Sequence, residues 1–132
     1  MKNAEFQVDE AVRILSNDGI VAIPTETVYG LAASAYSESG IAEIFRVKGR
    51  PSTNPLIVHI DSINKLETVA KNIPEEAIQL AEAFWPGPLT LVLEKAETIS
   101  DRITAGKATV GVRIPDHELA LELLRRLEFP LV

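Results

Sequence analysis

The stretch Gly19-Ile20-Val21-Ala22-Ile23-Pro24-Thr25-Glu26-Thr27-Val28-Tyr29-Gly30-Leu31 decides how the rest of the chain is read. Ile20 to Ile23 is a continuous apolar run halted by Pro24, the pattern of a short buried strand. Ahead of it, Val8, Ala11, Val12 and Leu15 share one helical face, with Asp9 placed to cap that helix and Gly19 to stop it. Helix, buried strand and polar segment in succession predict an α/β layer domain. Ligand sites in such domains sit just past the carboxyl ends of strands. If the backbone beyond Pro24 stays extended, Thr25, Thr27 and Tyr29 project to one side and offer three hydroxyls to a small polar ligand. The same hydroxyls serve equally well to cap backbone groups at a strand-to-loop transition.

Outward from this stretch the alternation continues. A helix is expected over Gly40 to Lys48, with Ile41, Ile44 and Phe45 inward, and a strand over Leu56 to Ile60. Ser62 caps a helix running to about Ala70. Pro74 starts another, whose apolar stripe is Ala77, Ile78, Leu80, Ala81, Phe84 and Trp85, the last two read as core. Pro86-Gly87-Pro88 ends it. Leu89 to Leu93 and Val110 to Ile114 read as strands joined by a polar loop. Alternation in the second sends Val110, Val112 and Ile114 one way and Gly111 and Arg113 the other. Asp116 is placed to cap a last helix burying Ala120, Leu123, Leu124 and Leu127. Phe129 to Val132 opens a further strand, and that element reads as unfinished. The expectation is one α/β (α+β) domain with a mixed sheet flanked by helices.

Bulk properties narrow the function classes. The chain has 132 residues, 46% apolar and 24% charged, which suits a single soluble core. With no cysteine, disulfides and thiolate metal sites are excluded. Met1 to Glu10 is polar and acidic without the apolar stretch of a signal peptide, and no apolar run approaches the ~18 residues of a membrane helix. A cytoplasmic protein without membrane contact is the expectation. A net charge of −6 argues against non-specific capture of polynucleotides. Arg46, Lys48 and Arg50 nevertheless place three cations within five residues with no acid among them, a cluster suited to one small polyanion.

Those cations open the segment Lys48-Gly49-Arg50-Pro51-Ser52-Thr53-Asn54-Pro55-Leu56. A lysine point charge and an arginine fork hold phosphate oxygens well. Gly49 admits close backbone approach, and two prolines stiffen the loop that follows. A basic helix end also pairs favourably with the helix dipole without any ligand, so both readings stand. The segment is not a P-loop. His59 falls on the strand face shared with Ile57, opposite Leu56, Val58 and Ile60, and is either a hydrogen-bonded structural histidine or a site residue. His117, at a helix start, is expected to be exposed. Two separated histidines and no cysteine predict no metal site. No Gly-x-Ser-x-Gly elbow is present, so serine-nucleophile chemistry is unsupported. Arg113 needs either a buried acid or an anionic ligand, and a carboxylate suits its fork.

Four motifs in order, PTETVYGL (24–31), KGRPSTNPLIVHI (48–60), FWPGPLTLVL (84–93) and TVGVRIP (109–115), resemble the YrdC-domain family of threonylcarbamoyl-AMP synthases. Four linked motifs over ~100 residues are far more specific than any one alone. The resemblance implies a YrdC/RibB-like twisted mixed sheet. It implies a nucleotidyltransferase reaction joining L-threonine, bicarbonate or carbon dioxide, and ATP into threonylcarbamoyl-adenylate and pyrophosphate, with Mg²⁺ accompanying ATP. A downstream transferase complex then modifies tRNA to threonylcarbamoyladenosine.

By motif, Lys48 and Arg50 would hold the ATP phosphates and carry the electrostatic load of catalysis. Asn54 and Thr109 would lie on the nucleotide. Thr25, Tyr29, His59 and Arg113 would surround L-threonine, with Arg113 on its carboxylate. The family continues past the equivalent of Val132 into a Pro-Ser-Ala-Asn segment that completes the nucleotide site. Residues 1–132 are therefore expected to form an incomplete YrdC-like domain, truncated at its C-terminal side, with weak or no synthesis by itself. Two other classes are a non-catalytic module binding nucleotide or RNA, with weak RNA contact, and the YrdC-like part of a carbamoyl-transfer protein that matures hydrogenases. The lack of any cysteine-rich zinc-finger stretch speaks against the last.

Overall fold

The computed structural model describes residues 4–24 and 29–132. Among them α1 (Ala4–Ser16) leads into β1 (Val21–Pro24), which pairs antiparallel with β2 (Tyr29–Ala32). Next come α2 (Glu38–Lys48), β3 (Ile57–His59), a 3₁₀ turn at Ile63–Lys65, α3 (Leu66–Val69) and α4 (Glu75–Phe84). β4 (Leu91–Glu94), α5 (Asp101–Thr104), β5 (Thr109–Arg113) and α6 (Glu118–Arg126) complete the order. β5 is the centre of a mixed sheet, parallel to β3 and antiparallel to β4. Residues 130–132 join this sheet to the hairpin. Leu131 exchanges backbone hydrogen bonds with His59 on one side, while Val132 exchanges them with Ala33 on the other. The expected mixed α/β domain is what forms, but the further strand expected over Phe129 to Val132 is reduced to isolated antiparallel bridges of Leu131 with Ser34 and His59.

Two apolar clusters hold it together. The inner face of the mixed sheet (Val58, Val110, Val112, Leu91 and Leu93) packs on Ile41 and Ile44 of α2, on Leu66 and Val69 of α3, and on Ala77 and Ala81 of α4. The second cluster sets Val8, Ala11 and Leu15 of α1 against Leu123, Leu124 and Leu127 at α6, with Ala32 and Leu131 between them. Strand alternation is obeyed residue by residue: Leu56, Val58 and Ile60 are buried, whereas Ile57 is exposed and His59 half-buried. That alternation turns one side of the mixed sheet into core and leaves the other as a platform.

Several local expectations are corrected. Asp9 lies inside α1 rather than at its start, and its carboxylate meets Arg126 of α6. α1 ends through Asp18, which takes the left-handed conformation at φ 65°, not through Gly19. Gly19 is needed for space instead, because a Cβ there would sit 2.6 Å from Ile14 Cγ2. β1 is only half-buried, being one arm of a hairpin rather than a central strand. Ser62 precedes the 3₁₀ turn without donating or accepting a side-chain cap, and the expected helix to Ala70 divides into that turn and α3.

On α4, Leu80 (43% exposed) and Phe84 (57% exposed) face outward, while Ala77 and Ala81 are buried in the main core and Ile78 packs partly against it. Trp85 is core, as expected. The polar segment before β5 contains α5, whose Ile103 is fully buried. Finally, His117 and not Asp116 caps α6: its Nδ1 accepts the Leu119 N–H at 3.2 Å, which leaves the ring half-buried.

Candidate active site

The register of β3 against β5 sets His59 directly opposite Arg113 and Ile57 opposite Gly111. Partners in register project to the same side of a sheet, so His59 and Arg113 are neighbours on the platform. His59 reaches a small cavity of about 80 Å³ beneath the hairpin, lined also by Ile23, Gly30, Leu31 and Leu131. Arg113 is half-buried, and its Nε donates to the Gly87 carbonyl at 3.1 Å. The alternation that paired these residues was legible in the sequence; their adjacency depends on the parallel pairing of β3 and β5.

The basic segment is more structured than its charge suggested. α2 ends at Gly49 in the left-handed conformation (φ 60°), a backbone position that favours glycine. This exit lets the Arg50 N–H reach the Phe45 carbonyl at 3.0 Å. The three cations then part ways. Arg46 turns back one helical turn to Glu43, with Nε to Oε1 at 2.8 Å. That hydrogen bond, with burial opposing it and charge attraction assisting, holds the Glu43 carboxyl below its usual range. No acid lies within residues 46–50, but helical spacing brings Glu43 to the cluster from one turn upstream.

Arg50 turns forward, its Nε donating to the Asn54 carbonyl at 3.1 Å and its Nη2 to the Pro55 carbonyl. The guanidinium thus clamps the 51–55 loop. Within that loop the Asn54 N–H donates to Pro51 O at 3.0 Å, and the Asn54 side chain is exposed. Lys48 is exposed at the helix end.

The clamped loop borders a cleft of about 270 Å³ on the platform side of the sheet. Pro55 and Ile57 form one wall, Thr90 and Val92 the other, and Thr109 and Lys107 stand at the end. Its floor is Gly111, where a Cβ would come within 3.1 Å of Thr90 Cγ2. Thr109 therefore belongs to the same cleft as the Pro55 end of the basic loop, whereas Lys48, Arg50 and Asn54 do not line it. Ile57 and His59 are two residues apart along β3, so cleft and histidine are about 7 Å apart on one surface. Sequence reasoning passed over Lys107, Thr90 and Val92; a glycine at the centre of a strand was the signal that something approaches the sheet there.

Thr25, like its neighbour Thr27, lies outside the described residues, and so does the side chain of Tyr29. The backbone of Tyr29 pairs with Pro24 at the start of β2. Among the described residues no group of three or more acids or histidines is arranged to hold a metal ion. No helix of the described residues is long and apolar enough to cross a membrane.

Comparison with known proteins identifies the family and the fold. The family model Sua5/YciO/YrdC, described as telomere recombination, matches residues 13–132. Threonylcarbamoyl-AMP synthase of Pyrococcus abyssi is 52% identical over 127 residues, 96% of this chain and 37% of that protein. The Bacillus subtilis protein of the same name is 48% identical over 126 residues, 95% of this chain and 36% of its own length. The structure of P. abyssi Sua5 complexed with L-threonine superposes with a TM-score of 0.93 at 50% identity, covering 99% of this chain and 38% of that one. Escherichia coli YciO shares the fold at a TM-score of 0.85 and 23% identity, over 99% of this chain and 63% of that one. The chain thus spans a little over a third of the length of the first two relatives, 37% and 36%.

Proposed function

Because the chain belongs to the Sua5/YciO/YrdC family, we propose that it forms the substrate platform of an L-threonylcarbamoyl-adenylate synthase serving tRNA threonylcarbamoyladenosine formation. The observation that carries this is the pairing of His59 with Arg113 on the same sheet face as the cleft under the Arg50-clamped loop. One half of that surface suits an amino acid and the other a nucleotide. Arg113 presents a guanidinium to the threonine carboxylate, the planar acceptor its fork matches. His59 faces the threonine side of the same pocket. A P. abyssi relative solved with L-threonine supports this half.

The nucleotide half holds ATP between the cleft and the basic loop. Thr109 and Asn54 lie beside the nucleotide, and the Gly111 floor with Ile57 at its side gives the base a flat surface. Lys48 sets a mobile positive charge on the phosphates. Arg50 acts through the shape of the loop as well as through its charge. Mg²⁺ enters with ATP as part of that substrate, held by phosphate oxygens.

In the reaction, the threonine amine adds to carbon dioxide and loses a proton, giving the N-carboxylate. A carboxylate oxygen attacks the α-phosphorus, the bond to the bridging oxygen breaks, and pyrophosphate leaves. No covalent protein intermediate is required. Catalysis rests on alignment and on positive charge placed where phosphate charge develops. The adenylate passes to a tRNA-modifying transferase, which puts the enzyme in the cytoplasm.

A non-catalytic RNA-binding module is less well served, since the net charge is −6 and Arg46 is paired with Glu43. The test is pyrophosphate release by the full-length protein with ATP, Mg²⁺ and bicarbonate. Release that depends on L-threonine is expected; release indifferent to threonine, or none, overturns the assignment.

A further inference from the structure

The motif from Phe84 to Leu93 contributes one strand to the sheet, yet its most constrained part precedes that strand. Trp85, at the end of α4, keeps its N–H on Ala81 O at 2.9 Å. Its buried indole Nε1 reaches across the turn to the Leu89 carbonyl at 2.7 Å. Gly87, also buried, is held on both sides of its residue: its N–H donates to Ile114 O at 2.9 Å and its carbonyl accepts from Arg113 Nε at 3.1 Å. A Cβ at Gly87 would lie 2.7 Å from the Phe84 carbonyl, so a larger residue must displace the turn. The two bonds of Gly87 end on Arg113, the last residue of β5, and on Ile114 just after it, and the first of them fixes the side chain read above as the carboxylate partner.

We propose that the Trp85–Leu89 turn is a positioning device for Arg113. The indole closes the turn, the turn holds the Gly87 carbonyl, and that carbonyl fixes the guanidinium about its Nε. With Nε committed to Gly87, the plane of the guanidinium, and with it the direction of its terminal Nη nitrogens, is set by that bond. Trp85 and Gly87 are thus positioning residues for the amino-acid half of the platform and have no part in the nucleotide half. The inference rests on the reading of Arg113 as the carboxylate partner.

The experiment uses the full-length protein and the variant Trp85→Phe, which keeps most of the apolar volume and loses only the indole N–H. The KM for L-threonine should rise about fivefold, the size set by one neutral hydrogen bond, while kcat and the KM for ATP stay within about twofold. In an Arg113→Ala background the same substitution should cost nothing more. Equal losses for both substrates, or full additivity with Arg113→Ala, would show a merely structural role and overturn the proposal.

The Arg113 Nε–H resonance, assigned by its disappearance in Arg113→Lys, gives a readout without activity. It should be protected from exchange in the wild type and lose protection in Trp85→Phe or, if that variant does not fold, in Gly87→Ala. A wild-type resonance in rapid exchange overturns the proposal directly. Unchanged L-threonine affinity in Arg113→Ala, together with a protected resonance in the wild type, would instead refute the carboxylate reading and leave the turn bonded to a residue with another task.

Discussion

Replacing Arg50 by alanine separates two roles that the sequence alone merges. A residue serving only phosphates would leave the protein's structure unchanged when truncated. Here the guanidinium donates to the carbonyls of Asn54 and Pro55, so the variant opens the loop as well as removing charge. Hydrogen bonds to charged groups contribute about 1.5–3 kcal/mol each, but Arg50 is half-exposed and both carbonyls rehydrate once released, which reduces each to about 1 kcal/mol. Two such bonds give about 2 kcal/mol against local opening of residues 51–55, or roughly a thirtyfold rise in the open population.

The reporter is the Asn54 amide, bonded to Pro51 O at 3.0 Å within the loop. Its hydrogen exchange should accelerate by about that factor in Arg50→Ala, while amides of β5 change little. Because the core clusters are untouched, the melting midpoint should fall by no more than about 8 °C. ATP affinity should fall alongside. Arg50→Lys, which keeps the charge and loses the fork, should recover at most one of the two bonds. Unchanged Asn54 exchange in Arg50→Ala together with lost ATP binding would refute the clamp and assign Arg50 to phosphate alone.

Other expected outcomes follow from the same contacts. Lys48→Ala should weaken ATP binding about tenfold with no shift in melting midpoint, as measured by titration calorimetry and scanning fluorimetry, because its side chain is exposed. Ile44→Ala should cost about 2–5 kcal/mol in denaturant unfolding, since its side chain is 1% exposed within the main core. His117→Ala should cost about 1 kcal/mol and His117→Ser should restore it, because the ring nitrogen caps the Leu119 N–H. The Glu43 carboxyl is held low by Arg46, so the support this pair gives α2 is present above the ordinary carboxylate range and lost as pH falls through the lowered value. Both groups are at the surface, and Glu43→Gln should therefore erase a small, salt-sensitive part of the helix signal in circular dichroism.

Period-two and helical patterning were enough to identify the elements and their buried faces. Val58 and Val112 are inward and His59 and Arg113 outward because a strand allows only two sides, and the sequence alternates accordingly. Ala77 and Ala81, or Leu123 and Leu124, were likewise readable as helix stripes. Patterning failed at element ends, where a single competing contact decides. His117 displaced Asp116 as a cap, Asp18 displaced Gly19 as a helix exit, and Asp9 went to an ion pair with Arg126 that lies far away in the chain. It failed also on α4, where a full apolar stripe was read although the core takes Ala77, Ile78, Ala81 and Trp85 and leaves Leu80 and Phe84 outside.

By itself, then, the sequence determined a mixed α/β domain, its four linked motifs and the family to which they belong. Those features depend on residue type and local period, which the chain carries wherever it folds. Tertiary structure alone decided what the motif residues do beside one another. The parallel register set His59 against Arg113, helical spacing gave Arg46 to Glu43, loop geometry gave Arg50 to two carbonyls, and the Trp85 turn gave Arg113 its Nε partner. A charged side chain several bonds long reaches many positions from one Cα. Which of them it occupies depends on the acceptors that other segments bring within hydrogen-bonding distance.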